Sequence, residues 1–174
     1  SDKDKLFTIS DVVFGLAPRI NAAGRIEHGA KAVELMVQED IELAREKAQA
    51  VNQHNLKRKE LERSITEEAL QMIVIDAKST VVFNPDWHKG VVGIVASRLI
   101  ESHYRPTIVL TENNGKLVGS ARSVNGFDVY DAIDACSEYV EQFGGHKYAA
   151  GLTLKKENLE AFTAKFESVV ADSL

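Results

Sequence analysis

Ser79-Thr80-Val81-Val82-Phe83 is the run that decides the fold. Thr80, Val81 and Val82 are β-branched, and such a run predicts a strand. A loop follows, Asn84-Pro85-Asp86-Trp87-His88-Lys89-Gly90, and residues 91–102 then carry Ile94, Val95, Leu99 and Ile100 at helical spacing. Residues 106–111 form a second strand run. Glu112-Asn113-Asn114-Gly115 holds the Asn-Gly pair of a tight hairpin, so 116–122 continues as a third strand. Residues 128–140 space Val129, Ile133, Cys136 and Val140 as a helix, which makes Cys136 a core thiol. A fourth strand is expected at 151–155. The closing helix is expected at 158–170, with Leu159, Phe162, Phe166 and Val169 inward. Strands alternating with helices argue for one compact α/β domain over 76–174.

Upstream, 40–75 contains neither Gly nor Pro. Asp40 can cap its start. Ile41, Ala44, Ala48 and Val51 recur at helical spacing, as do Leu61, Ile65, Ala69 and Met72, while 52–59 is nearly all polar. A single helix here would run roughly 50 Å. Apolar ends and a polar middle suit a helix that connects two domains. Two ordinary helices broken near His54-Asn55 are the alternative. His54, Lys57, Arg58 and Lys59 then lie on a solvated charged face or look toward a ligand.

The first 39 residues hold a short helical run with Ser10 as its cap, then Gly15-Leu16-Ala17-Pro18-Arg19-Ile20-Asn21-Ala22-Ala23-Gly24-Arg25 and a second short helix over 30–37. Arginines in a loop constrained by Pro18 and Gly24 suit bidentate binding of phosphate or carboxylate. A buried turn with its arginines paired to acidic neighbours is the other reading. The stretch is too small to bury its own core, and we expect it to be the tail of a larger domain.

The totals narrow the function. The chain has 174 residues, 44% hydrophobic and 27% charged, a globular composition. No apolar run approaches the ~20 residues of a membrane span. The charged start Ser1-Asp2-Lys3-Asp4-Lys5 has no signal-peptide core behind it, and the single cysteine excludes an internal disulfide framework; both favour the cytoplasm. A net charge of −5 excludes nucleic-acid binding by a generally basic surface. A polyanion would have to meet a local cluster of cations and N–H groups.

Two motifs supply one. Phe143-Gly144-Gly145-His146-Lys147-Tyr148-Ala149-Ala150-Gly151 predicts a turn whose glycine amides form a concavity for phosphate, with His146 as donor. Ser120 and Arg122 lie two apart on a predicted strand, so they share one face and can grip one phosphate together. An exposed strand face with a salt bridge is the plain alternative. His88, ahead of a helix start, adds a phosphate contact there or packs with Trp87 under its loop. Tyr148 stacks on a base or packs in the core.

Three stretches in order carry a resemblance. They are Ala17 to Arg25 as quoted; His88-Lys89-Gly90-Val91-Val92-Gly93-Ile94-Val95-Ala96-Ser97-Arg98-Leu99 closing on Tyr104-Arg105-Pro106; and Gly119-Ser120-Ala121-Arg122-Ser123 with the Gly-Gly-His stretch. Together they resemble the DHH phosphoesterase family, and within it the RecJ branch of single-strand-specific 5′-to-3′ DNA exonucleases. The Gly-Ser-x-Arg and Gly-Gly-His pair is shared with oligoribonucleases and cyclic-dinucleotide phosphodiesterases of the same family. The Pro-Arg-Ile-Asn-Ala-Ala-Gly-Arg stretch is more particular to the exonucleases.

The resemblance implies a small mixed-sheet α/β domain, the DHH-associated domain, over 76–174. Before it come a connecting helix over 40–75 and a DHH-domain remnant over 1–39. The family's Asp-His-His triplet is absent from this sequence, whose five histidines, at 28, 54, 88, 103 and 146, show no metal-ligand spacing. The resemblance therefore implies a C-terminal piece of a metal-dependent exonuclease of DNA repair and recombination. The Mn2+ or Mg2+ ions would sit on a preceding domain, and the piece alone would be inactive. It implies single-stranded DNA as partner at its 5′ end, with single-strand-binding protein and helicase partners. By the same resemblance His146 is the catalytic contact. Arg19 or Arg25 takes the 5′ phosphate, Asn21 orients their loop, and His88, Ser120, Arg122, Gly144 and Gly145 bind the phosphate backbone. An oligoribonuclease or cyclic-dinucleotide phosphodiesterase of the same family, and a nucleic-acid-binding module without chemistry, are the competing readings.

Overall fold

A computed structural model describes residues 41–174, together with Pro18. Arg19, Asn21, Arg25, the expected helices before residue 38 and the expected cap Asp40 lie outside the described residues. The chain divides into two compact units, Ser1–Leu61 and Glu62–Leu174.

Helix α1, Ile41–Leu70, is continuous, with no break at His54-Asn55. In its first part Val51 is buried, whereas Ile41 and Ala48 are exposed despite their helical spacing. The helix ends at Leu70 rather than near 75. Gln71 and Met72 donate to the carbonyls of Glu68 and Ala69 at 3.1 and 3.0 Å, the tightened bonds of a last turn. The β-branched Ile73-Val74-Ile75 that follows is a weak helix former, and Met72 is left exposed.

The second unit is built on a five-stranded sheet of order β1-β2-β3-β5-β4. The strands are β1 (Thr80–Phe83), β2 (Thr107–Asn113), β3 (Lys116–Arg122), β4 (Gln142–His146) and β5 (Ala149–Leu154). β1 pairs with β2 in parallel and every other pair is antiparallel, so the sheet is mixed. Helix α2 (Val92–Ser102) makes the parallel crossover, α3 (Val129–Asp134) follows β3, and α4 (Leu159–Ser173) closes the chain. The β2–β3 hairpin turns on Asn114 and Gly115, both at positive φ (52° and 77°), as its Asn-Gly pair predicts.

Alternation along each strand divides the core in two. Ile108, Leu110, Leu117, Ala121, Leu152 and Leu154 face α3 and α4, where Ile133, Phe162 and Phe166 are fully buried. Val82 and Val109 face the other way, onto Val92, Val95, Ala96 and Leu99 of α2 and onto Ile65 and Ala69 of α1. Burying a Leu, Ile, Val or Phe side chain here is worth about 1.5–3 kcal/mol.

Three expectations shift. The inward stripe of α2 is Val92, Val95, Ala96 and Leu99, with Ile94 and Ile100 at its margins. The predicted helix over 128–140 is α3 followed by a 3-10 turn at Ser137–Tyr139, and Cys136 between them is fully buried. Val170 of α4 is buried with Phe162 and Phe166, while Val169 is half-buried.

Two polar anchors fix the start of β1. Arg105 donates to the carbonyls of Val74, Ile75 and Ala77 and to Thr80 Oγ1, which holds the segment after α1 against the sheet. Glu167 of α4 accepts from the Lys78 and Ser79 N–H groups at 2.6 and 2.8 Å and from the Ser79 hydroxyl. Burial opposes ionisation of this carboxyl, but those donors and the Arg105 charge outweigh it and hold its pKa below the ordinary value.

Candidate functional site

Sheet register assembles the site. In antiparallel pairs, residues directly opposite each other lie on the same face. Ser120 of β3 stands opposite Val109 of β2 and Gly151 of β5, and Gly151 stands opposite Gly144 of β4. Arg122 stands opposite Thr107 and Ala149, and Ala149 opposite His146. Two adjacent rows therefore cross the α2 face of the sheet: Val109–Ser120–Gly151–Gly144 and Thr107–Arg122–Ala149–His146.

Helix α2 packs over β2 and β3. On β5 and β4 the same face is open: Gly151, Gly144 and His146 are exposed and Ala149 is half-buried. The result is a shelf floored by small residues, with α2 as its wall.

The wall begins at the right place. A Cβ on Gly93, in the first turn of α2, would lie 2.6 Å from Arg122 Nη2 and 3.3 Å from Ser120 Oγ. No side chain caps α2 at Val91. First-turn N–H groups have no intrahelical partner and carry partial positive charge. A helix start, a hydroxyl and a guanidinium thus meet at one point, which is the chemistry of an anion site. Arg122 Nη1 also donates to the Ala121 carbonyl at 2.9 Å, which limits how far the guanidinium swings.

Two histidines lie on elements around the shelf, His88 in the loop before α2 and His146 on β4. His88 Nδ1 accepts from the Gly90 N–H at 2.9 Å, and His146 Nδ1 accepts from the Tyr148 N–H at 3.3 Å. An accepting Nδ1 puts the proton of a neutral ring on Nε2, so each ring presents Nε2–H as a donor. The loop bearing His88 is pinned beneath. Trp87 is buried, its Nε1 donates to Glu68 Oε2 at 2.8 Å, and its carbonyl accepts from Thr111 Oγ1. Trp87 is the residue that packs under the loop, and His88 stays half-buried.

The Gly-Gly-His stretch differs from its expectation. Gly144, Gly145 and His146 belong to edge strand β4, and Lys147-Tyr148 makes the turn. No amide nest forms at Gly144-Gly145. The reason is pairing: Gly145, at φ 140°, lies so close to β5 that a Cβ would sit 2.3 Å from the Ala149 carbonyl. Tyr148 is 47% exposed, with Lys147 Nζ 5.5 Å from its ring centroid, so it is not a core residue.

The structure brings Ser120, Arg122, Gly144 and His146 onto one face, with His88 in the loop that leads into α2. Sequence reasoning did not name Gly93 at the candidate site, and Ala149 and Gly151 entered only within the quoted Gly-Gly-His stretch. A glycine inside a helical pattern and one inside a strand pattern were the available signals.

The DHHA1 domain family matches residues 72–172. The chain belongs to the DHHA1 family. Among curated relatives, the single-stranded-DNA-specific exonuclease RecJ of Bacillus subtilis is 40% identical over 168 residues, covering 94% of this chain and 21% of the relative. The structure of RecJ from Thermus thermophilus in complex with Mg2+ superposes with a TM-score of 0.85 at 33% identity, covering 93% of this chain and 26% of that one. The same organism's RecJ in complex with Mn2+ gives 0.84 at 33% identity, covering 93% and 24%. The chain thus spans about a fifth to a quarter of these relatives, and within that span the DHHA1 domain keeps the RecJ fold.

The two Thermus structures are Mg2+ and Mn2+ complexes, which raises the question of whether this chain's side chains suit such an ion. Among the described residues, no three His, Cys, Asp or Glu side chains come together as a ligand set. The DHHA1 shelf offers donors and a guanidinium, which suit an anion and not a divalent cation. Among the same residues no helix is long and apolar enough to cross a membrane.

Proposed function

We propose that this chain is the strand-holding part of a RecJ-like, single-strand-specific 5′-to-3′ DNA exonuclease. The observation that carries the reading is the convergence of Ser120, Arg122 and the uncapped start of α2 beside an open shelf that ends at His146. Hydroxyl, guanidinium and helix N–H groups bind the phosphate backbone. His146 donates from Nε2 to a phosphate oxygen, where it stabilises charge that develops during hydrolysis. His88 Nε2–H contacts the strand near the helix start. Phosphate contacts carry no base information, so binding is independent of sequence.

The divalent ions, Mn2+ or Mg2+, supply an activated water and charge neutralisation when bound. On this reading they sit on the family's DHH domain and take no ligand from this chain. Arg19 or Arg25 receives the 5′ phosphate, with Asn21 shaping the loop. The setting is cytoplasmic DNA repair and recombination, with single-strand-binding protein and helicase as partners, and this chain alone does not cleave.

Fluorescence anisotropy with a labelled 5′-phosphorylated oligothymidylate tests this reading. Arg122→Ala is expected to weaken binding about tenfold, the loss of one charged hydrogen-bonding group, with unchanged melting. Equal affinity in wild type and variant removes Arg122 from the site. Robust Mn2+-dependent cleavage by the purified chain would overturn the division of labour.

A further inference from the structure

Trp87 is the one tryptophan of the chain, and it is buried. A buried indole N–H needs an acceptor. Its partner is the carboxylate of Glu68, at 2.8 Å. Glu68 stands in the last turn of α1, and from Glu62 onward that helix belongs to the second unit. The helix does not depend on Glu68 for its place. Ile65 and Ala69 lie in one core cluster with Trp87, Val92 and Leu99, and Glu62 pairs with Arg98 of α2 at 2.9 Å. Glu68 is itself exposed, so water can reach the indole N–H once the carboxylate is removed.

The bond fixes the loop instead. Trp87 directly precedes His88. The His88 carbonyl accepts from the Val91 N–H at 3.1 Å, and His88 Nδ1 accepts from the Gly90 N–H at 2.9 Å. Thr111 Oγ1 donates to the Pro85 and Trp87 carbonyls. Thr111 thus braces the main chain of the loop from β2, while Glu68 braces the Trp87 ring from α1. With only the first brace the ring can tilt in its slot. A tilt at Trp87 turns His88 and the first turn of α2 with it.

We infer that Glu68 is a positioning residue: through the Trp87 indole it sets the His88 loop, and so the direction in which His88 Nε2–H meets the strand. This rests on the strand-holding reading of the site. It goes beyond it by giving a role to a residue of α1 that touches no ligand.

The test compares Glu68→Ala, Glu68→Gln, His88→Ala and the double variant Glu68→Ala/His88→Ala. Each is measured by melting, by amide and indole chemical shifts of the isotope-labelled chain, and by anisotropy with a labelled 5′-phosphorylated oligothymidylate. Glu68→Ala is expected to stay folded and to move the Gly90, Val91 and Gly93 amides as well as the Trp87 indole. Its affinity is expected to fall about threefold, within the roughly fivefold worth of the His88 hydrogen bond. Glu68→Gln keeps an acceptor for the indole, so its loop shifts and affinity should stay near wild type. The double variant should bind no worse than His88→Ala, because residues that act through one another are not additive.

A carboxylate that only satisfied the indole would move the indole resonance and leave Gly90 and Gly93 in place, which would overturn the inference. So would an additive loss in the double variant, or a Glu68→Gln as weak as Glu68→Ala. Wild-type affinity in His88→Ala would take His88 off the strand and Glu68's role with it, leaving the Arg122 site standing. No binding by the wild-type chain up to millimolar oligonucleotide defeats the strand-holding reading, and the positioning role falls with it.

Discussion

Gly93 and Arg122 fit together so closely that a Cβ on the glycine would come within 2.6 Å of the guanidinium Nη2. The atom it would meet is the far end of a flexible side chain, not backbone. In Gly93→Ala the guanidinium should therefore move while the fold holds. Glycine to alanine inside a helix gains up to about 1 kcal/mol of propensity. We predict a melting temperature equal to or above wild type and a several-fold loss of single-strand affinity by anisotropy. Unchanged affinity would mean that the guanidinium's position at the α2 start does not matter.

Gly119→Ala should behave in the opposite way. Its Cβ would meet the Val109 carbonyl at 2.0 Å and Leu110 Cα at 2.9 Å, both backbone atoms of the paired strand. β2 and β3 must part to admit it. We predict a loss of roughly 3 kcal/mol or more in urea unfolding, at the upper end for an overpacked site. A near-neutral change would show that the pair slides apart easily.

Glu167 links stability to pH. Its folded pKa is held below the ordinary value near 4.5, with burial opposed and outweighed by donors from Ser79 and Lys78. A lowered folded pKa means that the unfolded chain binds the proton more tightly. The stabilisation is complete above the unfolded pKa and is lost as pH falls from about 4.5 through the folded value. Glu167→Gln should remove this contribution and flatten the acid limb of a stability profile measured by thermal melting. An acid limb as steep as wild type would place the dependence on other carboxylates.

Cys136 should be inert in the folded chain. Burial pushes its thiol up to about 11, and the side chain is inaccessible. At pH 8 the thiolate is about one part in a thousand even before access is considered. We predict no alkylation under native conditions and full modification in urea, read by mass. Fast native labelling would mean that the α3–α4 face of the core opens readily.

Much of this protein was legible in its residues. The β-branched run before Phe83, the Asn114-Gly115 turn and the apolar spacing of the helices depend on local sterics and periodicity, which a sequence carries. So does the pairing of Ser120 with Arg122 on one strand face, because side-chain alternation is a property of a strand by itself. The Gly144-Gly145 segment was not legible in the same way. Paired glycines allow a turn or a close strand pairing equally well. Only β5, brought alongside, fixes Gly145 at φ 140° and moves the turn to Lys147-Tyr148.

The site shows the same division. The sequence by itself named the candidate donors: Ser120, Arg122, His88 and His146. Tertiary structure alone decided their arrangement. Register placed Gly151 between Ser120 and Gly144, and the parallel crossover laid the start of α2 over Arg122. The contacts of Gly151 with Ser120 and of Gly93 with Arg122 join residues about thirty positions apart in the chain. Register depends on which strand lies beside which, a global packing choice that local periodicity does not encode.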